Sequence, residues 1–161
     1  MENLTYGWEG PNPLAVEVTK PIDHVSIYFD EHGRPMDITL WRTDGSGLTV
    51  FSEMHDIAER MEIGVLRFEQ SKSLSGSRVT LPIAPEFRQR VDAFKLSVHE
   101  SGVKAESGIL LRAKGGSEIT IVAAAMPCFI AIKGVVEQPH IFEPEYPMEK
   151  YERLPIRIGE S

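Results

Sequence analysis

Histidine, cysteine, serine and carboxylate side chains are the groups in this chain that could do chemistry, and their spacing decides which chemistry is open to it. The five histidines stand at positions 24, 32, 55, 99 and 140. A zinc-type site needs at least three converging ligands, and no two of these histidines have His-x-His or His-x-x-x-His spacing. The tightest local group, Glu53, His55 and Asp56, occupies consecutive positions that diverge around a helix axis, so it predicts solvated surface and no metal. His99 and Glu100 precede Ser-Gly and read as a turn. No serine lies inside Gly-x-Ser-x-Gly, although a Ser/His/Asp set can assemble from remote positions. Cys128, the one cysteine, sits in AAAMPCFIAIK without a charged neighbour to favour its thiolate, and is expected to be a buried, inert thiol. Gly45-Ser-Gly47 and Gly115-Gly116 lack the Lys-Ser/Thr of a phosphate-binding loop and read as hairpin turns. No catalytic residue, metal or cofactor is expected.

Carboxylates are abundant, and two of them brought into one cleft can act as general acid and base. The local pairs Asp30-Glu31, Glu143-x-Glu145 and Glu149-x-x-Glu152 fall in turns or in a proline-rich C-terminal stretch, where solvated charge is the ordinary reading. That stretch, 135–161, holds six acids against three Lys and Arg, and alternates them with Phe142, Tyr146 and Tyr151. Aromatics that pin an arm to a sheet would give this pattern. So would a surface for a basic protein, with charge steering the encounter and rings supplying desolvated contact. Two acidic patches are therefore candidate partner-binding sites: Asp56 with Glu59, and Glu143 with Glu145 and Tyr146.

The elements that must position these residues are mostly strands. Val25, Ile27 and Phe29 alternate with His24, Ser26 and Tyr28, and Met36, Ile38 and Leu40 repeat the period in MDITLWR, with a turn at EHGRP between. Asp44-Gly-Ser-Gly47 supplies a tight turn before the β-rich run Leu48 to Phe51. Met54, Ile57, Ala58 and Met61 instead follow helical spacing, with Ser52 as N-cap and Gly64 as stop, so a short amphipathic helix is predicted over 53–62. Strands resume at Val65 to Glu69 and Arg78 to Ile83, on either side of a polar SKSLSGS loop. APEFRQRVDAF opens as one or two helical turns at Pro85, and Phe94, Leu96 and Val98 read as strand. ESGILLRA, a Lys-Gly-Gly-Ser turn at 114–117 and EITIVAAA form the clearest hairpin, and its near-continuous apolar run places it in the centre of the core. Ile119 to Ile132 is uncharged, yet it is shorter than the roughly 20 residues a spanning helix needs and contains Pro127; it predicts two buried strands. Prolines 139, 144, 147 and 155 exclude helix and central strand from most of the C-terminal stretch, leaving an extended arm over the surface.

The 161 residues fit one domain, with no internal repeat and no dividing linker. The expected fold is mainly β: a single-domain antiparallel β-sandwich or open barrel with one short helix and an extended C-terminal arm. With 24 acids against 17 Lys and Arg, the net charge of −7 repels phosphate backbones and anionic lipid, which argues against nucleic-acid and membrane partners. The opening MENLTYGWEGPNP has neither the basic start nor the apolar core of an export peptide, so the cytoplasm is the expected compartment. These features give the expectation of a small acidic module that neutralises a basic protein, the overall character of a bacterial immunity protein that masks a toxin. The alternative is a β-barrel or sandwich enzyme or small-ligand binder whose site uses His24, Tyr28, Trp41 and His99.

Overall fold

A computed structural model describes residues 2–59, 61–71, 78–135 and 141–159. The SKSLSGS loop from Lys72 onward, and the stretch of the arm that carries Pro139 and His140, lie outside these residues. Two antiparallel-rich sheets of six strands pack face to face as an open sandwich, and no barrel closes among the described residues. The first sheet is ordered β2 (Gly7–Trp8), β6 (Met61–Ser71), β5 (Gly47–Ala58), β4 (Pro35–Arg42), β3 (Ile22–Phe29) and β7 (Val79–Leu81). The second is ordered β11 (Ile130–Lys133), β10 (Glu118–Ala123), β9 (Val103–Arg112), β8 (Asp92–Glu100) and β12 (Glu152–Ile156), with β1 (Glu2–Leu4) running parallel to the start of β9. The N-terminal segment thus straddles both sheets, since β2 pairs in parallel with β6.

The period-2 residues form the core as their alternation requires. Val25, Ile27, Ile38, Leu40, Leu48 and Val50 from one sheet meet Ile109, Leu111, Ile119 and Ile121 from the other in one cluster. Each fully buried aliphatic side chain contributes roughly 1.5–3 kcal/mol against the entropy of ordering the chain. The ESGILLRA and EITIVAAA hairpin is buried on both faces: Ile109 and Leu111 look into the core, while Leu110 and Val122 look outward beneath Phe142 and Tyr151 of the arm. The arm ends as β12, an edge strand antiparallel to β8, and Pro155 is tolerated there because an edge strand can leave one side of its ladder unpaired.

Two expectations are corrected. Residues 53–62 are not helical. They form the outer half of a long β5–β6 hairpin, paired without interruption from Gly47↔Ser71 to Asp56↔Glu62 and closing at Ala58↔Met61. A ten-residue helix is marginal without packing, whereas each strand here gains a full ladder from its neighbour, so the proposed cap Ser52 and stop Gly64 are interior strand positions. The short helix is instead α1 (Leu14–Val18), entered from Pro13. It is locked to the sheet by Glu17 and Arg42, both buried, whose Oε1 and Nη2 lie 3.0 Å apart.

Cys128 is exposed, not buried. The apolar run from Ile119 is broken by a turn in which Phe129 N–H donates to Met126 O at 3.3 Å, with Pro127 at the second position and Cys128 at φ 72° in the third. This is the arrangement of a type II turn, whose third position favours glycine.

Candidate functional site

The outer hairpin carries an unusual charge arrangement. Asp56 on β5 stands directly opposite Glu62 on β6, and like charges facing each other across a ladder destabilise it. Among the described residues no cation pairs with Asp56, Glu59 or Glu62, all of which are exposed. Nearer the sheet, Glu53 has only loose partners, Arg67 at 3.9 Å and His55 at 3.8 Å. The register shift between Asp56 and Ala58 marks a bulge at Ile57, and bulges re-aim side chains. Ile57 packs on the cluster of Ile63, Val65, Val98 and Ala105.

Tyr146 packs on that same cluster. The hairpin, through Ile57, and the arm, through Tyr146, thus pack on one apolar cluster. The turn at Ser101-Gly102 also meets the hairpin: Ser101 Oγ donates to Met61 Sδ at 3.3 Å, and Glu2 N–H donates to Gly102 O at 3.2 Å. Lys150 on the arm is committed locally, 2.5 Å from Glu100 and 4.7 Å over the Tyr146 ring. Of the five candidate residues, Tyr146 packs on this cluster and Glu145 bonds to Gly64 of β6, while Asp56 and Glu59 stand exposed on the outer hairpin. Glu143 lies exposed beside Ala125, whose N–H donates to its carbonyl, at the β10–β11 turn.

Glu145 is not a simple surface acid. Its amide donates to Ala123 O at 2.9 Å, and its Oε1 accepts from Gly64 N–H at 3.2 Å. Burial pushes its carboxyl up to about 7, and the Gly64 hydrogen bond offsets only part of that. Burial, then the charges of Glu145 and Glu100, push the Tyr146 phenol up to about 12. Burial likewise raises the Tyr151 phenol, which lies by the Tyr146 backbone without closing a hydrogen bond of good geometry. Gly64 is where the two sheets approach most tightly around this group: a Cβ there would stand 2.5 Å from Ala123 Cβ, 2.8 Å from Ser52 Oγ and 3.7 Å from Glu145 Oε1. Ser107 Oγ donates to Gly64 O at 2.6 Å, while Ser52 Oγ is buried without a partner among the described residues.

The residues proposed for a polar ligand site are not brought together. His24 stacks on Trp41 at 6.3 Å, Trp41 Nε1 donates to Ser26 Oγ at 3.0 Å, and Tyr28 lies on the same sheet. His99 is on the other sheet, 3.2 Å from Glu152. A cleft of about 850 Å³ does exist, between the N-terminal segment at Tyr6, Trp8 and Pro11 and the β12 residues Leu154 and Ile156. Its polar floor is already satisfied internally: Lys95 Nζ is 2.6 Å from Glu106 Oε2, Tyr6 N–H donates to Glu106 Oε1 at 2.8 Å, and Tyr6 Oη donates to Gly108 O at 2.5 Å. Among the described residues no group of three His, Cys, Asp or Glu side chains is placed to hold a metal, and no helix is long and apolar enough to cross a membrane.

Sequence reasoning missed Glu62, Gly64 and Ser52. The two residues between Ala58 and Met61, Glu and Arg, carry none of the Gly, Asn or Asp that signals a two-residue hairpin turn, so nothing local set Glu62 against Asp56. No protein-family model, curated protein or solved structure matches the chain.

Proposed function

We propose that this protein binds a basic protein partner through the acidic residues of the β5–β6 hairpin and the arm, and neutralises it by masking a cationic surface, as an immunity protein does a toxin. The observation that carries the reading is the Asp56–Glu62 pair: two acidic residues stand opposite each other in the hairpin register, an arrangement that costs the hairpin, with no cation among the described residues to relieve them. A cationic partner supplies that relief. Met61, exposed at 38%, and Tyr146 add apolar and aromatic contact beside the charges. Capture from the native cell with wild type and with the Asp56→Lys/Glu62→Lys double variant tests it. A basic protein retained by wild type and lost from the variant is expected; a partner retained equally by both would overturn it.

A second reading, small-ligand binding, is favoured by the 850 Å³ cleft between Trp8 and Leu154. It ranks behind because Lys95, Glu106 and Tyr6 on the cleft floor already bond to one another, which leaves Arg157 at the rim as the charged group open to a ligand. Quenching of tryptophan fluorescence by a ligand, abolished in Trp8→Ala, is its test.

A further inference from the structure

We propose that Glu145 is a pH-operated latch: its neutral carboxyl seats arm residues 141–151 against β6 and β10, and its ionisation loosens that seat. Few hydrogen bonds fix the arm's main chain here, beside the packing of Phe142, Tyr146 and Tyr151 and the Lys150–Glu100 ion pair. Between Phe142 and Tyr151 the main chain is tied to the second sheet by Ala125 N–H to Glu143 O and Glu145 N–H to Ala123 O, the two bonds that make the isolated bridge of Pro144 with Ala124. The only described tie from this stretch to a main-chain group of the first sheet is the Glu145 carboxyl on Gly64 N–H. That carboxyl lies on the face of Gly64 that Ala123 and the buried hydroxyl of Ser52, unpartnered among the described residues, also crowd.

A carboxylate here accepts one backbone N–H and is half-buried with no cation beside it, so its charge is poorly compensated. The titratable and charged groups around it do not help. Tyr146 and Tyr151 are neutral phenols, His55 turns to Glu53, Lys150 is held by Glu100, and Asp56 and Glu62 on the hairpin add only negative charge. A neutral carboxyl avoids the charge penalty.

The sign follows from linkage. The seated group holds its proton up to about 7, whereas a released glutamate loses it near the ordinary value of 4.5. Between these values the seated state binds more protons, so the proton-linked part of the seating is fully present below 4.5 and is lost as pH rises through about 7. The latch stands independently of the partner reading, and its test uses the free protein.

The test is amide hydrogen exchange of the full chain at pH 5 and pH 7.5, corrected for intrinsic exchange, read at the Glu145 amide that donates to Ala123. The opening ratio is expected to rise at least roughly tenfold in wild type, less than the ideal linkage value because the group is partly solvated. It is expected to stay flat in Glu145→Gln, with β8 and β9 amides unchanged in both. A flat wild type, or the same rise in Glu145→Gln, overturns the proposal. Carbon-13 titration of the wild-type Glu145 carboxyl gives a check that needs no variant: a midpoint near 7 supports the latch, and one below about 5 overturns it.

Discussion

Gly64 admits no side chain, because the carbon added would stand 2.5 Å from Ala123 Cβ and 2.8 Å from Ser52 Oγ. Neither neighbour has room to withdraw: one is a methyl on a central strand and the other is a buried hydroxyl on β5. Gly64→Ala is therefore expected to cost about 1–3 kcal/mol, as overpacking does, measured as a shift in urea midpoint at unchanged slope. Cys128 is the opposite case. Its left-handed backbone, at φ 72°, costs about 1–2 kcal/mol for a residue with a Cβ. Glycine would remove that strain while adding about 0.5–1 kcal/mol of unfolded-chain entropy, so Cys128→Gly should gain about 0.5 kcal/mol in the same measurement. The thiol should react rapidly with a labelling reagent in the native protein, since it is exposed; Cys128→Ser should then cost almost nothing, there being no buried hydroxyl to leave unpaired.

At the scale of elements, the β5–β6 hairpin holds a cost that substitution can remove. Replacing either Asp56 or Glu62 by Lys turns a like pair into an opposite one, and should stabilise the protein by a few tenths of a kcal/mol, read from thermal or urea unfolding. A loss of stability would mean the two side chains do not face each other. Helix α1 gives a pH prediction of the other sign from the Glu145 latch. Burial opposes the Glu17 charge, but hydrogen bonds from Lys20, Asn12 and Arg42, together with the Arg42 charge, outweigh it and hold the carboxyl below its usual value. The stability this contributes is present above about pH 4.5, where the unfolded glutamate is ionised, and is lost as pH falls through the lower folded value. Unfolding scans below pH 4.5 should show that loss in wild type and a smaller one in Glu17→Gln.

The same elements show what the sequence could reveal. Alternation in β3, β4 and the β9–β10 hairpin was legible because burial on one face leaves a period of two in consecutive residues, and Gly-rich turns marked their ends. The hairpin at 53–62 was not, since Met54, Ile57, Ala58 and Met61 satisfy helical spacing by coincidence while the partner that overrides it is another strand. The seat of Glu145 was illegible for a different reason: Gly64, Ala123 and Glu145 are far apart in the chain, and only the packing of the arm over both sheets joins them.

For the whole molecule the net charge of −7 matters through where it is left uncompensated. Glu17, Asp30, Asp37 and Glu106 are tied to Arg42, Arg34, Arg78 and Lys95, so their fields are short-ranged. Asp56, Glu59 and Glu62 have no such pairing among the described residues, and with Glu9, Glu86, Asp92, Glu143 and Glu149 they are among the acids whose field is left unrelieved. If the hairpin receives a basic partner, the association rate should fall as salt rises, because the Debye length shrinks from about 30 Å at 0.01 M to about 8 Å at 0.15 M. Charge reversal at Asp56 and Glu62 should slow association and flatten its salt dependence while leaving dissociation nearly unchanged. Truncating Tyr146 to Ala should do the reverse, speeding dissociation at a nearly constant association rate, as loss of a desolvated aromatic anchor does. Stopped-flow or surface-based kinetics with the captured partner at several ionic strengths separates these effects. An association rate that ignores both salt and the two reversals would place the interface elsewhere on the molecule and remove the acidic hairpin from the account.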